Sequence, residues 1–334
     1  MSSTWIQTTV SGHNTRAALP IMLYPAGSLT GIGMIDMVTN GQAQFACIQA
    51  LAIRYPSLAV HTGMDLSVEA EAFGCGVKFS AHEVPTVNQR VVAGAEDIDS
   101  LPVPAVGSGR TAEYLSAGRL ARQAISDRPV LGGCIGPFSL AGRLMDTNAL
   151  MLALIKQAPA AHALLEKCTT FLIDYARAFK ADGLDGIIVA EPMAGLLAPE
   201  RCEIFSSRYV ARLVDAVQDQ GFSVILHNCG RTTRLVGSMA GTGARGLHFG
   251  NAVNMRDIAP QIPADRLLLG NIDPVGILSQ ANPEDVARSV TQLLEDMQAY
   301  PNFVLSTGCD IPPGTPLENI DAFFQALNRF NGIP

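Results

Sequence analysis

The sequence predicts an α/β fold and, within that class, a (β/α)8 TIM barrel. Three observations lead there. Short β-rich runs precede long amphipathic stretches along nearly the whole chain, with no linker and no short-period repeat. About eight such units fit into roughly 300 residues, as a barrel of this type needs. The stretch "AGSLTGIG" (26–33), after the first run, lacks the G-x-G-x-x-G spacing of a dinucleotide-binding sheet. One barrel domain is expected over 1–334, with a variable N-terminal segment at about 1–18.

The elements follow in order. "LPIMLYP" (19–25) reads as the first strand, "QAQFACIQALAIRY" (42–55) as a helix and "SLAVHTG" (57–63) as a strand. "RPVLGGCIG" (128–136) is a strand ending in glycines, and roughly 147–180 is helical. "LDGIIVAEP" (184–192) is a buried strand. Val210, Leu213, Val214 and Val217 recur at helical spacing, with Gly221 where a C-terminal cap would stand. "FSVIL", "RGLHFGN" (245–251) and "DRLLLGNIDP" (265–274) are further strands. Asn282, Pro283, Glu284 and Asp285 start a helix that buries Val286, Val290, Leu293, Leu294 and Met297. "NFVLSTGCD" (302–310) is the last strand, and Thr315 with Glu318 predicts a capping box for a final helix to about Phe330.

Composition narrows the class. The 334 residues are 48% hydrophobic and 16% charged, enough for a large core and too apolar for disorder. A net charge of −7, with no run of five like charges, gives no surface for nucleic acid or an acidic membrane. The polar start "MSSTWIQTTVSGHNTR" is no signal peptide, and "ALMLALI" (149–155) is cut by Lys156 before it could span a bilayer. A cytoplasmic protein is expected. Its odd set of seven cysteines (Cys47, Cys75, Cys134, Cys168, Cys202, Cys229, Cys309) then argues against a disulfide framework and for mostly buried thiols.

Barrel chemistry sits where strands end, and "SVILHNCGRTT" (223–233) ends a strand with a histidine and a cysteine. In extended backbone His227 and Cys229 point the same way, and Gly230 lets the chain turn after them. Cys309 ends another strand, in a loop stiffened by Gly308 and "IPPGTP". Counted as strands six and eight, the two ends can meet across the mouth. The set reads either as a zinc site with an open fourth position or as packed strand-end side chains.

"LHNCG" (226–230), "GNIDP" (270–274) and "STGCDIPPGTPLENI" (306–320), with "GGCIGPFSLAGRLM" (132–145) and "MDLSVEAEAFGCGVKF" (64–79), resemble the uroporphyrinogen decarboxylase superfamily. The resemblance runs from about residue 20 to the C-terminus and is closest to the corrinoid methyltransferase branch, which includes methylcobalamin:coenzyme M methyltransferases. It implies a (β/α)8 barrel with zinc held by His227, Cys229 and Cys309. It also implies a methylated corrinoid as methyl donor, a transiently bound corrinoid protein as partner and a small thiol as acceptor. The decarboxylases hold substrate carboxylates with N-terminal arginines, and "MLYPAGSLTGIG" (22–33) has none, which argues against decarboxylation. Zinc coordination would deprotonate the thiol, which would attack the methyl carbon in line.

Other strand-end residues are candidates under this reading. Glu191 is a resting zinc ligand, a nearby base or a substrate contact, or else a carboxylate capping a loop. His248 is a hydrogen-bond donor to substrate or to a metal ligand. Asp273 hydrogen-bonds a zinc ligand or caps the helix near Pro274. Asn251, Asn271, His61 and Asp65 are candidates to line the pocket and contact the cofactor. Arg143, Arg231 and Arg234 are candidate partners for a coenzyme M sulfonate, with homocysteine the other thiol considered. His13, His82 and His162 read as surface or satisfied residues. The rival acceptor is tetrahydrofolate, whose nitrogen needs no zinc thiolate. A second rival is a non-catalytic module that shields a corrinoid protein.

Overall fold

The computed structural model describes residues 5–11 and 15–333. Its strands are β1 (Val60–His61), β2 (Gly76–Lys78), β3 (Thr86–Gln89), β4 (Val130–Ile135), β5 (Gly186–Ala190), β6 (Ser223–Asn228), β7 (Gly246–Phe249), β8 (Leu267–Ile272) and β9 (Phe303–Thr307). Seven form one parallel sheet in the order β1-β4-β5-β6-β7-β8-β9. Residues 17–21 close the ring between its edges. Ala18 bridges Leu305 in parallel, Leu19 N–H donates to Leu305 O at 2.8 Å, and Leu58 N–H donates to Ala18 O at 2.7 Å. With that eighth segment the sheet is a (β/α)8 barrel.

The predicted strand 19–25 is therefore shorter than its apolar run suggests. It pairs only around Ala18, and a helix already starts at Ala26 (Ala26–Thr30). The remaining predicted strands are present, most of them trimmed to the residues that pair, while the one expected as "FSVIL" starts at Ser223 and runs on through His227 to Asn228. β4, β5, β6 and β9 are buried throughout, as strands covered on both faces must be. The helix Arg208–Val217 buries Val210, Leu213, Val214 and Val217 but ends at Gln218. Gly221 is not its cap. It sits in a turn where Asp219 Oδ1 accepts from the Gly221 and Phe222 amides. The Thr315–Glu318 box does not form either. The helix Leu317–Phe330 has Pro316 at its N-cap, and Thr315 Oγ1 donates back to Pro312 O at 2.9 Å. The β2–β3 hairpin was not expected.

Two apolar layers hold the barrel. The outer one lies between sheet and helices. The inner one fills the barrel with Leu19, Ile21, Leu131, Ile188, Ile225 and Leu269, among others. Ile6, from the helix Trp5–Ser11, joins this inner layer at 1% exposure. Trp5 Nε1 donates to Asp185 O at the start of β5. The segment predicted as variable thus plugs the N-terminal end of the barrel, and burying Ile6 there contributes about 1.5–3 kcal/mol. The opposite end is left for chemistry.

Among the described residues, no single helix is long and apolar enough to cross a membrane.

Candidate metal centre at the barrel mouth

Period-two alternation aims Ile225 into the barrel and then His227 and Cys229 toward its mouth. β6 is the fifth barrel strand, counting 17–21 as the first, so Cys229 and Cys309 follow the fifth and eighth strands, not the sixth and eighth. Two glycines draw their loops together across the gap. A Cβ on Gly250, after β7, would lie 2.5 Å from the Cys229 Cα. A Cβ on Gly308, after β9, would lie 2.4 Å from the Asn251 N. Without side chains at these positions the three loops stack backbone on backbone. One donor atom each from His227, Cys229 and Cys309 then falls within 4.8 Å of the others.

The electrostatics suit a cation. The Cys309 thiol, followed by His227, pushes the Cys229 pKa down to about 4, while burial opposes the shift. Its hydrogen bond to Cys229 and its burial push Cys309 up. The pair therefore holds one thiolate at neutral pH. Both cysteines stay partly exposed, whereas the other five are buried. Burial raises the pKa of each of those five, so they behave as packing residues, as predicted. Zinc–sulfur and zinc–nitrogen bonds are about 2.0–2.3 Å, so the three donors fit one tetrahedral ion with little adjustment and leave a fourth position open.

A hydrogen-bond chain orients the histidine. Ser306 Oγ donates its single proton to Leu19 O at 2.6 Å, so it accepts from His248 Nε2–H at 2.7 Å. Burial holds the His248 pKa well below its usual value, so the ring is neutral. Its Nδ1 is then an acceptor of the hydrogen bond that His227 Nδ1–H donates at 2.7 Å. The lone pair of His227 is left on Nε2. His248 thus contacts a candidate ligand, as one of its readings held. Ser306 was missed, although a polar residue facing inward in a buried run was a signal.

Most other candidates are committed elsewhere. Glu191 is buried, and its carboxylate accepts from the Phe138 and Ser139 amides at 3.0 and 2.6 Å, capping the helix Pro137–Met145. Burial raises its pKa to about 7. It follows the loop-capping reading and stands outside the donor set. Asp273 likewise caps, accepting from Val275 and Gly276. His61 pins strand to strand. Its Nδ1 donates to Thr62 O, and its Nε2 accepts from the Met22 amide. Asp65 accepts from Ser67 and pairs with Arg110 at 2.5 Å. Asn271 donates to Gly250 O and Val253 O and holds the turn after β7. None of Asp273, His61, Asp65 and Asn271 lines the cavity beside the donors. Asn251 is exposed at the rim, beside Gly308. His162 bonds the Tyr209 hydroxyl at 2.7 Å and His82 is exposed, as predicted, while His13 lies outside the described residues.

The donors border a cavity of about 50 Å³ whose walls are otherwise Ile21, Met64, Leu66, Ala190 and Pro192, with Asp310 at one side. Both carboxylate oxygens of Asp310 are buried without a hydrogen-bond partner. Burial pushes its pKa well up. The Ile311 and Leu23 amides offset this in part but do not reach hydrogen-bond geometry. No signal marked Asp310 in the sequence beyond its place after Cys309. Arg143, Arg231 and Arg234 are not in the cavity wall, and Arg234 borders an outer groove with Arg208 and Glu203.

Fold and site define a (β/α)8 barrel with a His–Cys–Cys donor set at the C-terminal mouth of its strands. The chain belongs to the uroporphyrinogen decarboxylase (URO-D) family, whose model matches residues 26–330. It is 30% identical over 298 residues to "Methylcobamide:CoM methyltransferase MtbA" of Methanosarcina acetivorans, covering 88% of this chain and 84% of that protein. It is 27% identical to "Uroporphyrinogen decarboxylase" of Alcanivorax borkumensis, over 88% of this chain and 85% of that one. The solved structure of a "methyltransferase from Methanosarcina mazei" shares the fold, with a TM-score of 0.88 at 24% identity and 98% of each chain covered.

Proposed function

We propose that this protein is a zinc-dependent methyltransferase that moves a methyl group from a methylated corrinoid to a small thiol. One observation carries the reading. Three donors, one of them a thiolate, converge on an accessible position at the barrel mouth. A zinc ion bound there would deprotonate an incoming thiol and fix its lone pair. His227, Cys229 and Cys309 are the residues that would hold it. Ser306 and His248 keep the His227 Nε2 lone pair turned toward it. The apolar cavity wall keeps water from competing with the sulfur. In the transfer the thiol loses its proton, a sulfur–carbon bond forms, and the cobalt–carbon bond breaks with its electron pair left on cobalt.

The curated relatives named methylcobamide:CoM methyltransferases support a corrinoid donor and a thiol acceptor. The decarboxylase relatives do not weigh equally. The segment 22–33 offers no arginine for substrate carboxylates, and the buried Arg110 is already taken by Asp65, Glu71 and Ser67. A corrinoid protein would cover the mouth transiently. Ile35, in the helix Met34–Thr39, and Leu196 and Val275, in the short helical turns Pro192–Leu196 and Pro274–Ser279 after β5 and β8, are 45%, 60% and 48% exposed and suit such a partner. Asn251, at the rim, is placed to meet the corrinoid.

The test incubates the protein with methylcobalamin and a panel of thiols and follows loss of the cobalt–carbon bond with formation of a methyl thioether. Turnover that needs a thiol and disappears in Cys309→Ala supports the reading. Turnover with tetrahydrofolate and no thiol would replace it.

A further inference from the structure

We propose that Asn228 is a positioning residue of the metal centre: its side-chain amide fixes the turn that has Cys229 at its middle. This rests on the metal-centre reading above. It gives Cys229 the counterpart of what His248 and Ser306 give His227.

Three observations lead to it. First, position 228 suits an apolar residue. Alternation along β6 puts it on the outer face with Val224 and Leu226, which belong to the layer between sheet and helices, and Asn228 is 2% exposed. An amide buried there is unfavourable unless both of its ends are bonded. Second, both ends are bonded, and to the loops of the site. Nδ2 donates to Glu191 O, just past β5, at 2.7 Å, and Oδ1 accepts from the Gly230 amide at 2.8 Å. A side-chain oxygen that accepts from the amide two residues on closes an Asx-turn, and the residue between is Cys229. Third, two glycines make room for the amide. A Cβ on Gly195 would lie 3.2 Å from Asn228 Oδ1, and one on Gly230 would lie 3.1 Å from it.

The amide ties together the strand ends around the donors. Glu191 N–H donates to His227 O at 2.8 Å while the Glu191 carbonyl accepts from Asn228, so the end of β5 grips the residues on either side of the His227–Asn228 peptide. The Asn228 carbonyl accepts from the Gly250 amide at 3.1 Å, and Gly250 packs on the Cys229 backbone. Cys229 is thereby held from β5 and from the loop after β7, so an ion has less of the loop left to order. Aspartate at 228 could still accept from Gly230 but brings no N–H to Glu191 O. Leucine, of similar size, offers neither bond.

The experiment loads the full-length protein with zinc and, separately, with Co(II), whose thiolate charge-transfer absorption reports how many cysteines bind the ion. Wild type, Asn228→Leu and Asn228→Asp are compared by chelator competition, by that absorption and by circular dichroism. Asn228→Leu is expected to keep its helical content and to lose the part of the absorption that Cys229 supplies. Its zinc affinity should fall roughly ten- to hundredfold, the usual effect of removing the hydrogen bonds that orient a ligand. Asn228→Asp, which retains the Asx-turn acceptor, should keep the absorption. A residue that only held the fold would lower the melting temperature and leave the cobalt spectrum as it was. Wild-type affinity and absorption in Asn228→Leu therefore overturn the proposal. So does a folded Asn228→Asp that has lost the Cys229 contribution, a result that decides the matter even if Asn228→Leu does not fold. A wild type that binds neither ion removes the metal centre and this role with it. A wild type that binds both, beside an unchanged Asn228→Leu, removes the role of Asn228 alone.

Discussion

His227 and His248 face each other through their Nδ1 atoms at 2.7 Å, and the direction of that hydrogen bond is set by a serine on another strand. Ser306 gives its proton to the Leu19 carbonyl, His248 must therefore donate from Nε2, and His227 is left to donate from Nδ1. A closed strand ring makes this possible, because the Ala18–Leu305 bridge and the hydrogen bonds around it set 17–21 beside β9. Barrel closure and ligand orientation are one piece of architecture.

Breaking the chain should loosen the metal without removing a ligand. His248→Phe or Ser306→Ala is expected to lower zinc affinity roughly ten- to hundredfold, as loss of a ligand's outer hydrogen bond usually does. Competition against a chelator of known affinity measures it. Affinity unchanged in both variants would refute the orienting role.

The glycines that let the loops meet should be as sensitive as the ligands. Gly250→Ala puts a methyl group 2.5 Å from the Cys229 backbone, and Gly308→Ala puts one 2.4 Å from the Asn251 amide nitrogen. Either should displace a cysteine and weaken metal binding while helical content by circular dichroism persists. Gly237→Ala is the control. Its Cβ meets nothing within 4 Å, and in a helix alanine gains up to about 1 kcal/mol over glycine.

Stability should fall as pH rises through neutrality. Burial raises Glu69 to about 8 and Glu191 to about 7, both above the ordinary 4.5. For an acid so shifted, the folded state binds more protons than the unfolded state between those values. Its contribution is fully present below about pH 4.5 and is lost as pH climbs through 7 to 8. Glu69 Oε1 accepts from the Ile135 amide, and Oε2 has no partner. Glu69→Gln mimics the protonated acid. Melting temperature measured from pH 5 to pH 8.5 is expected to decline in the wild type and to decline less in Glu69→Gln. A wild-type curve rising across that window would contradict the assignment.

The fold was legible because parallel barrel strands are continuous apolar runs. β4, β5, β6 and β9 carry that pattern and were found. The hairpin β2–β3 was not, since its residues are half-buried or exposed and neither strand makes an apolar run. The plug was missed because only Trp5 and Ile6 mark it within a polar segment. The three donors were legible from strand-end position and alternation. Glu191, Asp65, His61 and Asn271 were not separable from them, because what decides their roles is a backbone or side-chain partner set by the fold. Glu191 caps a helix that begins 54 residues earlier, with Pro137. Asp310 gave no pattern at all, since its meaning lies in hydrogen bonds it does not make.

The most direct measurement of the central claim is the metal content of the purified protein, beside Cys229→Ala and Cys309→Ala. The account predicts about one zinc per chain in the wild type, bound at one tetrahedral site, and its loss in either variant with the barrel still folded. A wild-type protein that takes up no zinc under conditions that preserve it, or two variants that keep it, would contradict the thiol-activating centre.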